Sequence, residues 1–286
     1  MRCKYKEVRH ECGEYLDIDI FPIMQAKHKA SGRSKRFKPT SATMARYNQR
    51  CRETRLERLV MANFMRDGLF FTPTYRSASY PKTDEEGKKN LRNFLRRLKS
   101  FRKKKGLPDL KYIAKTERGT RSGRLHHHLI INCADMSISD LERIWGLGYS
   151  YSSMVIFDKD GCPGLCKYFC KGKKKAFTDE DEPEPSIDTG NSWSRSRNLV
   201  EPKVRTNENK ISKKTARELC QLGEDAKDIY ERIYPGYSFS SARTLYNELN
   251  GGYYIGARLR KIPQPKPKQK RSVKNGRQRS TRMVSR

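Results

Sequence analysis

Three of the five histidines in this chain of 286 residues are consecutive, at His126, His127 and His128. Leucine and isoleucine flank them in residues 124–132, a composition typical of a β-strand. Successive side chains of a strand point to opposite faces, so His126 and His128 share one face and His127 takes the other. Two imidazoles about 7 Å apart on a rigid strand can both reach one metal ion. The alternative is a hydrogen-bonded pair in the core or at a solvated edge.

A carboxylate ends the strand that is predicted just upstream. Residues 109–117 alternate around an apolar centre and end at Glu117, and the polar segment 118–123, with two glycines, follows. Such a connection is typical of a β-hairpin. Antiparallel pairing would then bring Glu117 beside the histidines. Two histidines and one carboxylate bind a divalent ion and leave positions open for a phosphate oxygen and water. The alternative is that Glu117 is a surface charge in the hairpin.

These residues belong to the middle one of three blocks, which follow each other at 69–75, 117–128 and 167–171. In these blocks the chain resembles the HUH superfamily (His-hydrophobic-His), in particular the rolling-circle replication initiators of small single-stranded DNA phages and plasmids. The resemblance covers roughly residues 68–206. His127 departs from the family's pattern, because that position is usually apolar or aromatic.

The resemblance implies a role for four side chains. Glu117, His126 and His128 would bind a divalent metal ion, Mg²⁺ or Mn²⁺, and Tyr168 would attack DNA. Some relatives carry two tyrosines one helical turn apart. Here the positions four residues before and after Tyr168 are glycines, which indicates a single-tyrosine enzyme.

Helical geometry supports Tyr168 as the nucleophile. Pro163 suits the first turn of a helix, because its missing N–H would be unpaired there. At about 100° per residue, Tyr168 and Lys171 lie on a polar arc, opposite an apolar one. The apolar positions are Leu165, Cys166, Phe169 and Cys170. A phenol, with a pKa of about 10, needs a base, a cation or a polarised electrophile. Lys171 is therefore predicted as a second catalytic residue; the alternative for Tyr168 is an ordinary surface tyrosine.

The net charge of +31 indicates a protein that binds a polyanion. A ribosomal or packaging protein would have the same property, so charge alone does not assign the function. Eight cysteines without a CxxC pair disfavour a zinc site, for which Cys3, His10, Cys12 and Cys51 would be the candidates. No apolar run approaches the ~20 residues that cross a bilayer, and the N-terminus has no signal-peptide core. The sequence therefore predicts a cytoplasmic protein with reduced thiols and no membrane partner.

Cationic side chains are predicted to bind DNA in three places. The first is the outer face of a helix that begins with acidic residues at 84–86, and the others are the hairpin and the segment around the tyrosine helix. Segments similar to 192–199 follow the tyrosine helix in some phage initiators. A base could stack there on Trp193, and the alternative is that Trp193 packs at the domain edge. The predicted DNA-binding residues are Arg96, Lys99, Lys103, Arg124, Lys167, Trp193, Arg195 and Arg197.

The order of predicted strands and helices indicates an α+β domain, with an antiparallel sheet packed by helices on one face. The resemblance implies about five strands with the histidine strand in the centre. We expect a basic N-terminal extension with a helix (1–66) and an HUH-like catalytic domain (67–206) with a mobile acidic loop (176–190). A small helical region (207–260), with patterns around Leu219 and Leu245, and a disordered basic tail (261–286) would follow.

The interpretation that these features favour is an endonuclease and strand transferase that nicks single-stranded or extruded origin DNA and forms a 5′-phosphotyrosine. The sequence has no GxxxxGK[ST] motif, so such an initiator would use a host helicase together with a host polymerase. A relaxase or transposase with the same chemistry is the nearest alternative. A non-catalytic protein that binds single-stranded nucleic acid is an alternative of a different class.

Overall fold

The computed structural model describes residues 4–23, 42–119, 122–170 and 193–263. Within these ranges the chain forms two five-stranded antiparallel sheets and six α-helices, which confirms the α+β class. The strands are β1 (Tyr5–Cys12), β2 (Tyr15–Pro22), β3 (Gly68–Pro73), β4 (Tyr112–Arg118), β5 (Leu125–Asn132), β6 (Ser150–Met154), β7 (Ser194–Arg195), β8 (Lys203–Asn207), β9 (Tyr237–Asn247) and β10 (Gly252–Lys261). The helices are α1 (Ala42–Phe64), α2 (Asp84–Lys105), α3 (Ile138–Trp145), α4 (Pro163–Cys170), α5 (Lys213–Leu222) and α6 (Lys227–Ile233).

The first sheet has the strand order β6-β3-β5-β4-β7, so the histidine strand β5 is central, as expected. Helices α2 and α3 pack on one face, and α1 and α4 pack on the other. The expectation of helices on one face only is therefore wrong. The physical reason is in β5, where Leu129, Ile130 and Ile131 are consecutive and all buried. A strand with consecutive apolar residues needs cover on both faces of its sheet.

Helix α1 belongs to the core of the first sheet, although the sequence placed it in an N-terminal extension. Leu56, Val60 and Phe64 of α1 pack against Ile130 of β5 and Phe169 of α4. The boundary that was expected at residue 66 therefore falls between two parts of one hydrophobic core.

The second sheet has the order β8-β1-β2-β10-β9 and joins the two ends of the described chain. Its core packs against α5 and α6. The expected helix around Leu219 is present, but the expectation of a helix around Leu245 is wrong, because that residue lies in β9. Phe239, Ala242 and Leu245 are spaced by three residues, which imitates a helical period. The segment forms a strand and not a helix because β9 pairs with β10.

A cluster of buried charges joins the two sheets. Arg258 of β10 donates to Asp17 of β2 at 2.7 Å and to Glu57 of α1 at 2.9 Å. Arg58, next along α1, donates to the same Asp17 at 2.9 Å. Glu57 also accepts a hydrogen bond of 3.1 Å from the backbone N–H of Cys162, the residue just before α4. The cluster thus connects the second sheet to the start of the tyrosine helix.

The described cysteines are all free thiols, as expected for reduced cysteines. Within the described ranges, no helix combines the length and the apolar character of a membrane span. The acidic loop 176–190 lies outside the described residues, as does the tail beyond residue 263.

We predict that Arg258→Met lowers the free energy of unfolding by about 3–5 kcal/mol, because it leaves Asp17 and Glu57 as buried charges without their main partner. Arg260→Met is the matched control on the same strand. Its partner Glu14 is exposed, so the loss should stay within about 1 kcal/mol. Urea unfolding of both variants measures the difference. Equal losses would contradict the assignment of the cluster as the link between the sheets.

Candidate active site

The pairing of β4 with β5 places the candidate metal ligands on one face of the first sheet. Glu117 is directly opposite His126, and Lys115 is directly opposite His128. Glu117 Oε1 lies 3.0 Å from His128 Nε2 and 3.6 Å from His126 Nε2. All three donor atoms lie within 4.8 Å of one another. The hairpin and the strand alternation therefore have the geometry that the sequence predicted.

The arrangement of these donor atoms fits a divalent metal ion. His126 Nδ1 lies 3.1 Å from the carbonyl oxygen of Arg124, which can only accept, so Nδ1 carries the hydrogen and Nε2 is left with a lone pair. His128 Nδ1 contacts the hydroxyl of Thr72 at 3.1 Å, which leaves its Nε2 facing Glu117. Second partners of this kind orient metal-binding histidines.

Among the residues that the structure describes, no other group of three His, Cys, Asp or Glu side chains is compact enough to hold a metal ion. Of the residues considered for a zinc site, Cys12 is buried and Cys51 is exposed. Cys3 lies outside the described residues, and within them neither Cys12 nor Cys51 belongs to a compact group of possible metal ligands.

The pKa values of the three candidate ligands reflect their mutual contacts. Burial alone would raise the pKa of Glu117, but hydrogen bonds with His126, His128 and Lys115 outweigh it and hold that pKa well below its usual range. The hydrogen bond with Glu117 raises the pKa of His126, whereas burial lowers the pKa of His128. Glu117 is therefore ionised, which favours the binding of a cation.

Lys115 is a residue of this site that sequence reasoning missed. Its Nζ lies 2.7 Å from Glu117 Oε2 and 3.4 Å from the carbonyl oxygen of Tyr168. It thus contacts both the carboxylate and the tyrosine helix. Strand alternation could have found it, because Lys115 is two residues before Glu117 and shares its face.

Tyr168 lies on α4 with its hydroxyl in contact with the ligand set. The hydroxyl is 2.6 Å from His128 Nε2 and donates to Glu117 Oε1 at 3.0 Å. The side chain is 39% exposed, whereas Cys166 and Phe169 on the apolar arc are buried. Burial, followed by the negative charge of Glu117, raises the pKa of Tyr168 above its usual value. The helix therefore presents Tyr168 to the ligand set while its apolar arc packs on the core.

His127 points to the opposite face and has no access to this site. Its side chain is 0% exposed, and its two ring nitrogens contact the hydroxyls of Thr116 at 2.8 Å and Tyr75 at 2.7 Å. Burial lowers the pKa of His127 to about 3, so the ring is neutral. These contacts give His127 a place in the core between the sheet and Trp145.

The helix α2 carries its cationic residues on the far side of the sheet from Tyr168. Its buried residues pack on the face that carries His127. The predicted DNA-binding residues Arg96, Lys99 and Lys103 are exposed, but the sheet separates them from the candidate site. The structure therefore does not bring them together with Tyr168. The sequence showed that this helical face is exposed, and only the tertiary packing decides on which side of the sheet it lies.

Two of the other predicted residues, Lys167 and Arg124, lie next to residues of the candidate site. Lys167 is exposed beside Tyr168 on α4. Arg124, just before β5, donates to the carbonyl oxygen of Tyr75 at 3.0 Å. Lys171, predicted as a catalytic residue, lies outside the described residues.

The segment after the tyrosine helix is held against the same core. Trp193 is partly buried and packs against the cluster formed by α1 and α4. This contact agrees with the packing alternative for that residue. Arg195 forms an ion pair with Glu201, and Arg197 is exposed.

A comparison with known protein families agrees with the position of the site. Residues 68–173 match the family described as replication-associated protein ORF2. The matched segment is less than half of the chain; it begins at β3 and includes the candidate ligands and Tyr168. No curated protein and no solved structure matches the chain. The family match supports a rolling-circle replication initiator, as the resemblance implied.

We predict that substitutions of two neighbouring histidines affect different properties of the protein. His128→Ala should weaken Mn²⁺ binding by more than the roughly 10–100-fold that is typical of losing a residue that only orients a ligand. His127→Ala should leave Mn²⁺ affinity nearly unchanged but lower the melting temperature, because Thr116 and Tyr75 lose a buried partner and a cavity remains. Calorimetric titration with Mn²⁺ and thermal unfolding measure the two effects. Similar Mn²⁺ affinities for both variants would refute the assignment of the faces.

Proposed function

We propose that this protein is a metal-dependent DNA-nicking and strand-joining endonuclease that initiates rolling-circle replication. The observation that carries the proposal is the contact of the Tyr168 hydroxyl with both His128 and Glu117, at 2.6 and 3.0 Å. A half-exposed tyrosine that reaches a compact set of metal-binding side chains is suited to attack a phosphodiester. The match of residues 68–173 to a replication-associated family supports the same function.

The proposed reaction exchanges one ester for another. The Tyr168 oxygen forms a bond to phosphorus, and the bond from phosphorus to the 3′ oxygen breaks. The phenol loses its proton and the departing 3′ oxygen gains one. The 5′ phosphate stays on the tyrosine and the 3′ hydroxyl becomes available to a host polymerase, while a host helicase unwinds the duplex. The bond between Tyr168 and the 5′ phosphate is itself an ester, so the energy of the broken ester is conserved. The reverse reaction can therefore rejoin the strand.

Each neighbouring side chain has a defined part in this proposal. Glu117, His126 and His128 would hold Mg²⁺ or Mn²⁺, which supplies positive charge beside the scissile phosphate. Lys115 holds Glu117 in place through its contact of 2.7 Å. The raised pKa of Tyr168 keeps the phenol protonated while the anionic Glu117 lies beside it. Tyr168 would then become a nucleophile only when positive charge is present at the site.

The single tyrosine limits how a second strand transfer can occur. The residues four positions before and after Tyr168 in the sequence are Gly164 and Gly172, neither of which can replace it. A second copy of the chain or a water molecule would have to act in that step. Both routes are compatible with the proposed first step.

We predict that wild-type protein, incubated with labelled single-stranded origin DNA and Mn²⁺, forms an adduct that survives SDS. Tyr168→Phe removes only the hydroxyl, so DNA binding should persist while the adduct and the nick both vanish. Tyr47→Phe is the matched control, because Tyr47 is also exposed but lies on α1 and should not affect the adduct. Denaturing gels, together with mass spectrometry of the peptide that contains Tyr168, measure the outcome.

Three results would contradict this proposal. An adduct in the Tyr168→Phe variant would show that another residue is the nucleophile. Nicking by the wild type without any adduct would identify a hydrolytic nuclease. DNA binding with neither a nick nor an adduct would favour a non-catalytic single-strand-binding protein.

A further inference from the structure

Two tyrosines at the edge of the first sheet are unusually exposed. Tyr149, just before β6, is 78% exposed, and Tyr151, within β6, is 65% exposed. They are two residues apart on extended chain, so both side chains leave the chain on the same side, from Cα atoms about 7 Å apart. Within the described part of the chain, neither ring stacks on another aromatic ring of the protein. Two large apolar rings are thus presented to solvent side by side.

The register of β6 places both tyrosines on the face that carries the candidate active site. Tyr151 is directly opposite Thr72 of β3, and the Thr72 hydroxyl contacts His128 Nδ1 at 3.1 Å. Ser150, between the tyrosines, points the other way and donates to Glu142 of α3 at 3.0 Å. Side chains that are directly opposite on antiparallel strands share a face. The tyrosines therefore share the face of His128.

A groove of about 320 Å³ lies beside His126, at the end of the sheet where β4 and β5 are connected, and it reaches Thr74. It is lined by Thr74, Tyr75, Gly119, Ser122, Arg124, Leu125 and His126. Thr74 lies at the β6 side, where its hydroxyl donates to the carbonyl oxygen of Tyr149 at 2.9 Å. A strand that passes His126 along the groove therefore reaches Thr74, beside the backbone of Tyr149.

Single-stranded DNA is the occupant that these features favour. The groove includes the cationic Arg124, and the chain as a whole has a net charge of +31, which complements a phosphate backbone. Unpaired bases stack on aromatic side chains regardless of sequence, whereas the bases of a duplex are already stacked inside it. Two exposed rings on one face, together with the positive charge of the chain, provide for both parts of a single strand, the bases and the phosphates.

We propose that Tyr149 and Tyr151 form a stacking platform for unpaired bases next to the scissile phosphate. The proposal rests on the proposed function, because it takes the substrate to be single-stranded DNA at the same site. The platform would hold the strand while Tyr168 attacks, and it would favour single-stranded over double-stranded DNA.

The test measures binding of the full chain without metal, so that cleavage cannot interfere. The probes are a fluorescent single-stranded oligonucleotide and the duplex of the same sequence. The double variant Tyr149→Ala/Tyr151→Ala should weaken single-strand binding at least about tenfold, given the contribution of one stacked base. Duplex binding should change less than about twofold, because non-specific duplex binding depends on phosphate contacts.

Two further variants separate stacking from other causes. Tyr149→Phe/Tyr151→Phe keeps the rings and should bind single strands as the wild type does, because stacking does not need the hydroxyl. Tyr246→Ala, an exposed tyrosine of the second sheet, is the matched control and should have no effect. Thermal unfolding of each variant confirms that the fold is intact.

Unchanged single-strand affinity in the double alanine variant would overturn the platform, as would an equal loss for the duplex. The first of these results, together with a normal adduct in the wild type, would leave the proposed function standing. A selective loss of single-strand binding together with the absence of any adduct in the wild type would support the platform and refute the nicking chemistry. The two proposals therefore fail on different measurements.

Discussion

The register of β4 against β5 is the constraint on which the candidate site depends. A slip of one residue would send every side chain of one strand to the opposite face, so Glu117 would no longer meet His126. The register is fixed by the apolar pairs that lie next to the site in the two strands. Ile113 pairs with Ile130 in the core on one face, and Ala114 pairs with Leu129 in the core on the other. Packing on both faces of the sheet thus fixes the position of the candidate ligands, which lie on only one of those faces.

The same alternation gives three consecutive histidines two different environments, one at the candidate site and one in the core. His126 and His128 contact Glu117, whereas His127 is enclosed by Thr116, Tyr75 and Trp145. A buried charge at position 127 would be costly, but burial lowers the pKa of His127 so far that the ring stays neutral. This explains how a histidine can occupy a position where the resemblance leads one to expect an apolar residue. Both ring nitrogens have a hydroxyl partner, so burial leaves no polar atom of the ring unsatisfied.

The features that the sequence predicted are those that depend on local periodicity. The face shared by His126 and His128 follows from strand alternation, and the polar arc of Tyr168 follows from the helical period. The second sheet could not be predicted in this way. Its strand β2 pairs with β10, more than two hundred residues later, and no local pattern encodes that partner. Charge patterns are local as well. They identify an exposed face of α2, but they do not predict the side of the sheet on which this helix packs.

These distant segments also contribute to the site. The loop between β6 and α4 is held by the second sheet, since the Tyr15 hydroxyl donates to the carbonyl oxygen of Asp158 at 2.6 Å. At Gly161, whose φ is +88°, a Cβ would come within 2.7 Å of Arg258 Nη1 and 2.8 Å of Glu57 Oε1. The loop therefore passes directly against the buried ion cluster, and Glu57 binds the N–H of Cys162 at the point where α4 begins. A short helix has few contacts of its own with which to fix its direction. The position of Tyr168 is thus determined by the core under α4 and, at the start of that helix, by Glu57, which Arg258 of the second sheet binds.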